Sequence, residues 1–205
     1  MTTSPFTPPA DARLGSPAGS ADTRSFVSHF QASPAAPSAT AVHAAVTDDG
    51  TEQTITTAIT DPDVARVISA TAGGTAGDIK AIQVTVNGTD TAGATITEDL
   101  PAFTVNTAGI VTGSKAFASV SSVVIPAHDG TGATTAVGTG AALGLAHRLP
   151  ANSVLPGMSV FDGTRESTDP TVSVSATVLA SNTVAFDSTL DGSQVDAFYF
   201  VDGGQ

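Results

Sequence analysis

The chain has no cysteine, no tryptophan and one tyrosine, and it carries seven Lys and Arg against 19 Asp and Glu. Without thiols, disulfides and thiolate metal sites are excluded, and the redox compartment is left open. The shortage of basic residues leaves a formal net charge of −12. Such a field repels phosphate backbones, which excludes free nucleic acid as the expected partner. Only 13% of residues are charged, so helices with an ion-paired polar face have little to be built from. No apolar run approaches the ~20 residues that a membrane-crossing helix needs. Met1-Thr2-Thr3-Ser4-Pro5 lacks the basic start and apolar core of a secretion signal, and a protein made in the cytoplasm is expected.

What remains is Ala, Thr, Ser, Val and Gly in quantity. Small and β-branched residues suit pleated, half-buried surfaces and fit helices poorly. Five Asp-Gly pairs and one Asn-Gly punctuate short runs of alternating character, the pattern of frequent strands and tight connections. The predicted class is all-β: a β-sandwich, Ig-like or jelly-roll-like, with an extended Pro-rich N-terminal arm and a smaller C-terminal β unit.

Three segments follow. Residues 1–40 hold six of the twelve prolines, and their charges cancel, Asp11 and Asp22 against Arg13 and Arg24. The whole net charge therefore sits on residues 41–205. A segment of this kind buries too little apolar surface to fold alone and reads as an extended docking arm. Within it, Arg24-Ser25-Phe26-Val27-Ser28-His29-Phe30 concentrates aromatic residues. Two readings are open: Phe26 and Phe30 tuck onto the chain's own body, or Phe26, Val27 and Phe30 anchor the arm on a partner. Residues 41–148 are assigned to the sandwich, and residues 149–205 to a C-terminal β domain or oligomerisation unit.

The clearest hairpin signal covers residues 79–100. Lys80, Ile82, Val84 and Val86 share one face, and the turn is placed at Asn87-Gly88-Thr89-Asp90-Thr91-Ala92-Gly93. On the return run Ile96, Glu98 and Leu100 share a face, so Glu98 needs a partner, with Lys80 across the hairpin as one choice. A second hairpin is expected around Asp48-Asp49-Gly50. Gly73-Gly74-Thr75-Ala76-Gly77 and Gly138-Thr139-Gly140 read as flexible loops. Residues 143–150 read as an irregular connector, and residues 171–179 as a strand. In the last strand Val195, Ala197, Tyr199 and Val201 lie on one side, Phe198 and Phe200 on the other. Apolar residues on both sides call for a second layer or a second subunit, and Phe198, Tyr199 and Phe200 are the candidate oligomer interface.

Reactive constellations are scarce. His128-Asp129 sits beside Gly130 with no nucleophile elbow nearby, which fits a polar turn better than a dyad. His29, His43 and His147 have no zinc-ligand spacing. Asp48-Asp49-Glu52 and Asp61-Asp63 fall short of the six to eight oxygens calcium takes. No catalytic residue, metal site or cofactor is assigned, and the chain is expected not to be an enzyme.

Ile68-Ser69-Ala70-Thr71-Ala72-Gly73-Gly74-Thr75 and the run from Asp78 through Asp90 carry a resemblance. So do Ile125-Pro126-Ala127-His128-Asp129-Gly130-Thr131-Gly132-Ala133, Leu143-Gly144-Leu145 and residues 186–201. In these stretches, spanning most of residues 64–201, the chain resembles virion structural proteins of tailed bacteriophages, of the capsid decoration or head-fibre kind. The resemblance implies a β-rich fold, symmetric assembly, no catalysis and residence in the virion, on the outer capsid surface. The implied partners are the major capsid protein or other virion proteins and further copies of the chain, as a trimer. It transfers no functional residue. A neck, tail or fibre component and a host-surface binding module are the alternatives. The latter has little aromatic surface with which to hold a glycan.

Overall fold

The computed structural model of the chain describes residues 25–202, and the first 24 residues of the expected arm lie outside the described residues. Fourteen strands and two short 3-10 turns make up the described elements. In chain order the strands are β1 (Ser25–Ala32), β2 (His43–Thr47), β3 (Gln53–Ile55), β4 (Arg66–Gly74) and β5 (Thr85–Thr89). β6 (Thr95–Asp99), β7 (Gly109–Phe117), β8 (Ser119–Ile125) and β9 (Ala133–Gly144) follow. The last five are β10 (Val160–Phe161), β11 (Thr164–Arg165), β12 (Thr171–Ser173), β13 (Thr183–Ala185) and β14 (Val195–Asp202). The all-β class follows from the composition, because β-branched and small residues fill these strands.

The strands form three sheets. One runs β3-β8-β5-β6, and a second runs β12-β13-β9-β4-β7 with β2 also paired to β9. The third runs β1-β14-β10-β11. Val86, Val120, Val123 and Ile125 from the first sheet, with Val84 just before β5, pack with Ile68, Ala70, Ala72, Ala133 and Val137 from the second, which closes one core. A separate core gathers Leu143, Leu145, Leu149, Val184, Val195, Ala197, Tyr199 and Val201, with Phe30 and Ala32 of β1 packed against it. The two cores meet inside β9, which gives Val137 to one and Leu143 to the other. The expected break at residue 148 therefore falls beyond the handover, and residues 25–32 belong to the second core.

The hairpin at residues 79–100 forms, with Thr85 opposite Asp99 and Thr89 opposite Thr95. Its turn is shorter than expected and starts later. Asp90 closes it by accepting hydrogen bonds on its side chain from the Ala92 and Ala94 amides, and Gly93 takes φ +78°. Asn87 and Gly88 stay in the strand, opposite Thr97 and Ile96 of β6, and β8 bulges there with Ser121 as its extra residue. A Cβ on Gly88 would lie 1.9 Å from the Ser119 carbonyl oxygen, so glycine is needed for a close approach.

Other local expectations give way to non-local demands. No hairpin forms at Asp48-Asp49-Gly50: β2 pairs with β9 and β3 with β8, so the chain crosses between sheets there. Gly138-Thr139-Gly140 lies within the longest strand. A Cβ on Gly138 would lie 1.9 Å from the Ser38 carbonyl oxygen, and Gly140 O accepts a hydrogen bond from Arg66 Nε at 2.8 Å. Leu143 and Gly144 of the expected connector end the same strand. The run at residues 171–179 supplies three strand residues and then turns, because Asn182 accepts from the Ser175 amide and donates to the Ser175, Val178 and Leu179 carbonyls.

Candidate interaction surface on the first and last strands

The sequence places two aromatic segments about 170 residues apart, and the fold makes them neighbours. β1 and β14 pair antiparallel without a break, from Ser25 opposite Asp202 to Ala32 opposite Val195. Period-2 alternation then sorts the side chains onto two faces. Phe26, Ser28, Phe30 and Ala32 turn toward the second core together with Val195, Ala197, Tyr199 and Val201. Val27, His29 and Gln31 face outward with Phe198, Phe200 and Asp196.

Along this one strand the N-terminal apolar side chains divide between core and surface. Phe30 packs on the chain's own core. Val27 is 51% exposed and sits directly opposite Phe200, itself 47% exposed. Phe26 is on the core side, yet it lies at the strand's end and stays half exposed. Its ring meets His147 edge-on, with centroids 5.6 Å apart. Among the three C-terminal residues assigned to an interface, Tyr199 is corrected. It is 1% exposed, packs in the second core and shares a hydrogen bond of 2.9 Å with His147 Nδ1. A phenol is tolerated in a core when its hydroxyl finds such a partner. Phe198 and Phe200 remain on the outward face.

The outward face also holds groups that residue spacing alone did not single out. Asp196 Oδ1 takes a 2.7 Å contact from His29 Nε2 and a hydrogen bond from Gln31 at 3.0 Å, while Oδ2 accepts from Gln194 at 2.8 Å. Burial works to raise the Asp196 pKa, but the hydrogen bonds from Gln194, His29 and Gln31 outweigh it and hold the carboxyl below its ordinary value. The His29 ring lies flat on Phe198, with centroids 4.4 Å apart and planes 6° from parallel. The signal for this cluster was the alternation itself: Val27, His29 and Gln31 share a face. At the far end of the ribbon a cavity of about 260 Å³ is lined by Phe26, His147, Arg148, Leu179 and Val201.

Residues weighed for chemistry have structural employment. His128 is buried, not in an open turn: its Nδ1 accepts from the Lys80 amide at 3.1 Å, which leaves Nε2–H to donate to Thr135 Oγ1 at 2.9 Å. Burial pushes its pKa below the ordinary value, against the raising effects of Asp48 and Asp129. Asp129 points away and pairs with Lys80 at 3.3 Å. Asp48 accepts from the His128 and Gly50 amides, and Asp61 from the Val120 amide. Among the described residues no group of three or more His, Cys, Asp or Glu side chains is placed to hold a metal ion.

Glu98 is satisfied by β7, not by Lys80. β7 carries extra residues opposite Val67–Ser69 of β4, and the amides freed by that bulge reach the carboxylate. Oε1 accepts from the Ser114 amide at 2.7 Å and from the Ser114 hydroxyl at 2.9 Å, and the Lys115 amide adds contacts of 3.2 Å. Gly113 admits the carboxylate, since a Cβ there would stand 2.4 Å from Oε2.

No protein-family model, curated protein or solved structure matches this chain.

Proposed function

We propose that the protein is a non-enzymatic structural component of a phage virion, a capsid decoration protein held on the outer surface of the head. The observation that carries this reading is the root of the leader. Residues 1–24 enter the body at Ser25, beside the half-exposed Phe26, Val27 and Phe200. A Pro-rich, charge-balanced segment joined to an exposed apolar patch suits capture by a groove and a flat contact on a larger lattice. The finer fold assignment, a sandwich of the Ig-like or jelly-roll-like kind, belongs to the same reading, supported by two sheets closing one core.

The attachment is tested with heads of the encoding phage assembled without this protein. Full-length chain is expected to cosediment with them, and a chain starting at Ser25 to remain in the supernatant while keeping its circular dichroism spectrum. Equal capture of the shortened chain overturns the leader's role and moves attachment to the β body. Binding to tails instead of heads assigns the protein to the neck or tail.

A further inference from the structure

We infer that the open edge of β1 is the pairing edge for a second copy of this chain, joined antiparallel about a two-fold axis centred on His29. The directions of the backbone groups identify that edge. Leu155 N–H donates to Phe198 O at 2.7 Å, and Phe200 N–H to Ser153 O at 3.1 Å. Phe198 and Phe200 therefore direct their main-chain groups away from β1. The alternation of an antiparallel ladder then makes Phe26–Val201, Ser28–Tyr199 and Phe30–Ala197 the hydrogen-bonded pairs. Val27, His29 and Gln31 are left with N–H and C=O pointing out of the sheet. Among the described residues no backbone partner meets them.

Among the described residues every other sheet edge is blunted. β3 and β12 have three residues each and β11 has two. β2 and β7 are bulged, β7 also carries Lys115, and β6 ends in Glu98 and Asp99. Short length, bulges and charges are the devices that stop sheets from adding strands. β1 has none of them. It is eight residues long, has no Pro, Gly, Asp, Glu, Lys or Arg, and keeps unbroken register with β14.

The second copy is singled out by charge and register. In a chain of net charge −12 like charge opposes the approach of two copies, and β1, which carries no Asp or Glu, lets two copies align edge to edge without opposing carboxylates on the paired strands. Centring on His29 sets Val27 opposite Gln31 of the other copy and forms roughly six backbone hydrogen bonds. The axis runs perpendicular to the sheet, so both cores stay on one side. Val27, Phe198 and Phe200 of both copies then make one outward face. This inference concerns the free protein and stands apart from attachment to a particle.

Sedimentation equilibrium of the full-length chain, with amide hydrogen exchange, tests it. The wild type is expected to be a dimer at micromolar concentration, with slow exchange at Val27, His29 and Gln31. Dilution is expected to speed exchange at these amides roughly ten-fold or more, in step with dissociation. Val27→Pro removes one outward donor and none of the β1–β14 bonds, so it is expected to be a folded monomer. A wild-type monomer or trimer overturns the inference, as does a folded Val27→Pro dimer. If Val27→Pro does not fold, the dilution series on the wild type decides alone.

Discussion

At the scale of single residues, buried polar groups hold this small-residue fold in register. Glu98 is the clearest case, because its carboxylate takes the amides that the β7 bulge leaves without ladder partners. Glu98→Ala takes the charged acceptor from those part-buried amides, and a hydrogen bond to a charged group contributes about 1.5–3 kcal/mol. A loss of about 2–4 kcal/mol in urea unfolding is therefore expected, less for Glu98→Gln, which keeps an acceptor oxygen. His128 supplies a pH dependence with a definite sign. It is neutral in the fold and its pKa is depressed below the ordinary 6.5, so the unfolded chain takes up the proton first as pH falls. Its contribution is complete above about 6.5 and is lost below that, down to the folded value. The urea midpoint is expected to drop between pH 7.5 and 5.5, and to drop less in His128→Gln. An equal drop in the variant would assign the effect to other groups.

At the scale of elements, the N-terminal segment divides differently from the sequence expectation. Residues 25–40 are part of the body. β1 covers the second core, and the stretch after it is strapped down by four hydrogen bonds. Gly192 donates to Pro34 O, Ala35 donates to Asp63 Oδ2, Arg66 Nη1 donates to Ala35 O and Thr139 donates to Ser38 O. Arg66, 1% exposed, also donates to Asp63 Oδ1 at 3.2 Å. Burial works to raise the Asp63 pKa, and the hydrogen bonds from Ala35, Arg66 and Val64 lower it further than burial raises it. Arg66→Ala is expected to destabilise by about 3 kcal/mol, because it leaves the Gly140 and Ala35 carbonyls without their donor. Removing residues 1–24 is expected to leave the melting temperature within a few degrees. Removing residues 1–40 is expected to abolish cooperative melting, since Phe30, Ala32 and the strap go with it.

These elements also show what the sequence could convey. Alternation in residues 82–86 and 195–201 was readable because one face of each strand is buried and the period is two. The crossing at Asp48-Asp49-Gly50 was not, because a hairpin turn and a change of sheet use the same Asp and Gly residues. Gly138-Thr139-Gly140 misled for a related reason. Glycine weakens a strand locally, and the need for it comes from Ser38, about 100 residues away. Tyr199 could not be told from Phe198 and Phe200 as an interface residue without knowing that His147 meets its hydroxyl.

At the scale of the whole molecule, the chain is two cores sharing β9, with the first and last strands side by side. Joining through a twelve-residue strand couples the cores, and calorimetry is expected to show one unfolding transition, not two. Pairing β1 with β14 brings the leader's root, the aromatic outward face and the open edge of β1 to one sheet. That sheet exposes apolar side chains, while Asp48, Asp61, Asp63, Glu98 and His128 are engaged in holding the fold. The measurement that bears most directly on a contact role is head binding by Phe200→Asp, compared with wild type as an isotherm. Phe200 supports neither core, so the variant is expected to fold normally and to bind at least roughly ten-fold more weakly, as loss of a buried interface anchor does. Unchanged binding by the folded variant would contradict the claim that this face makes the contact.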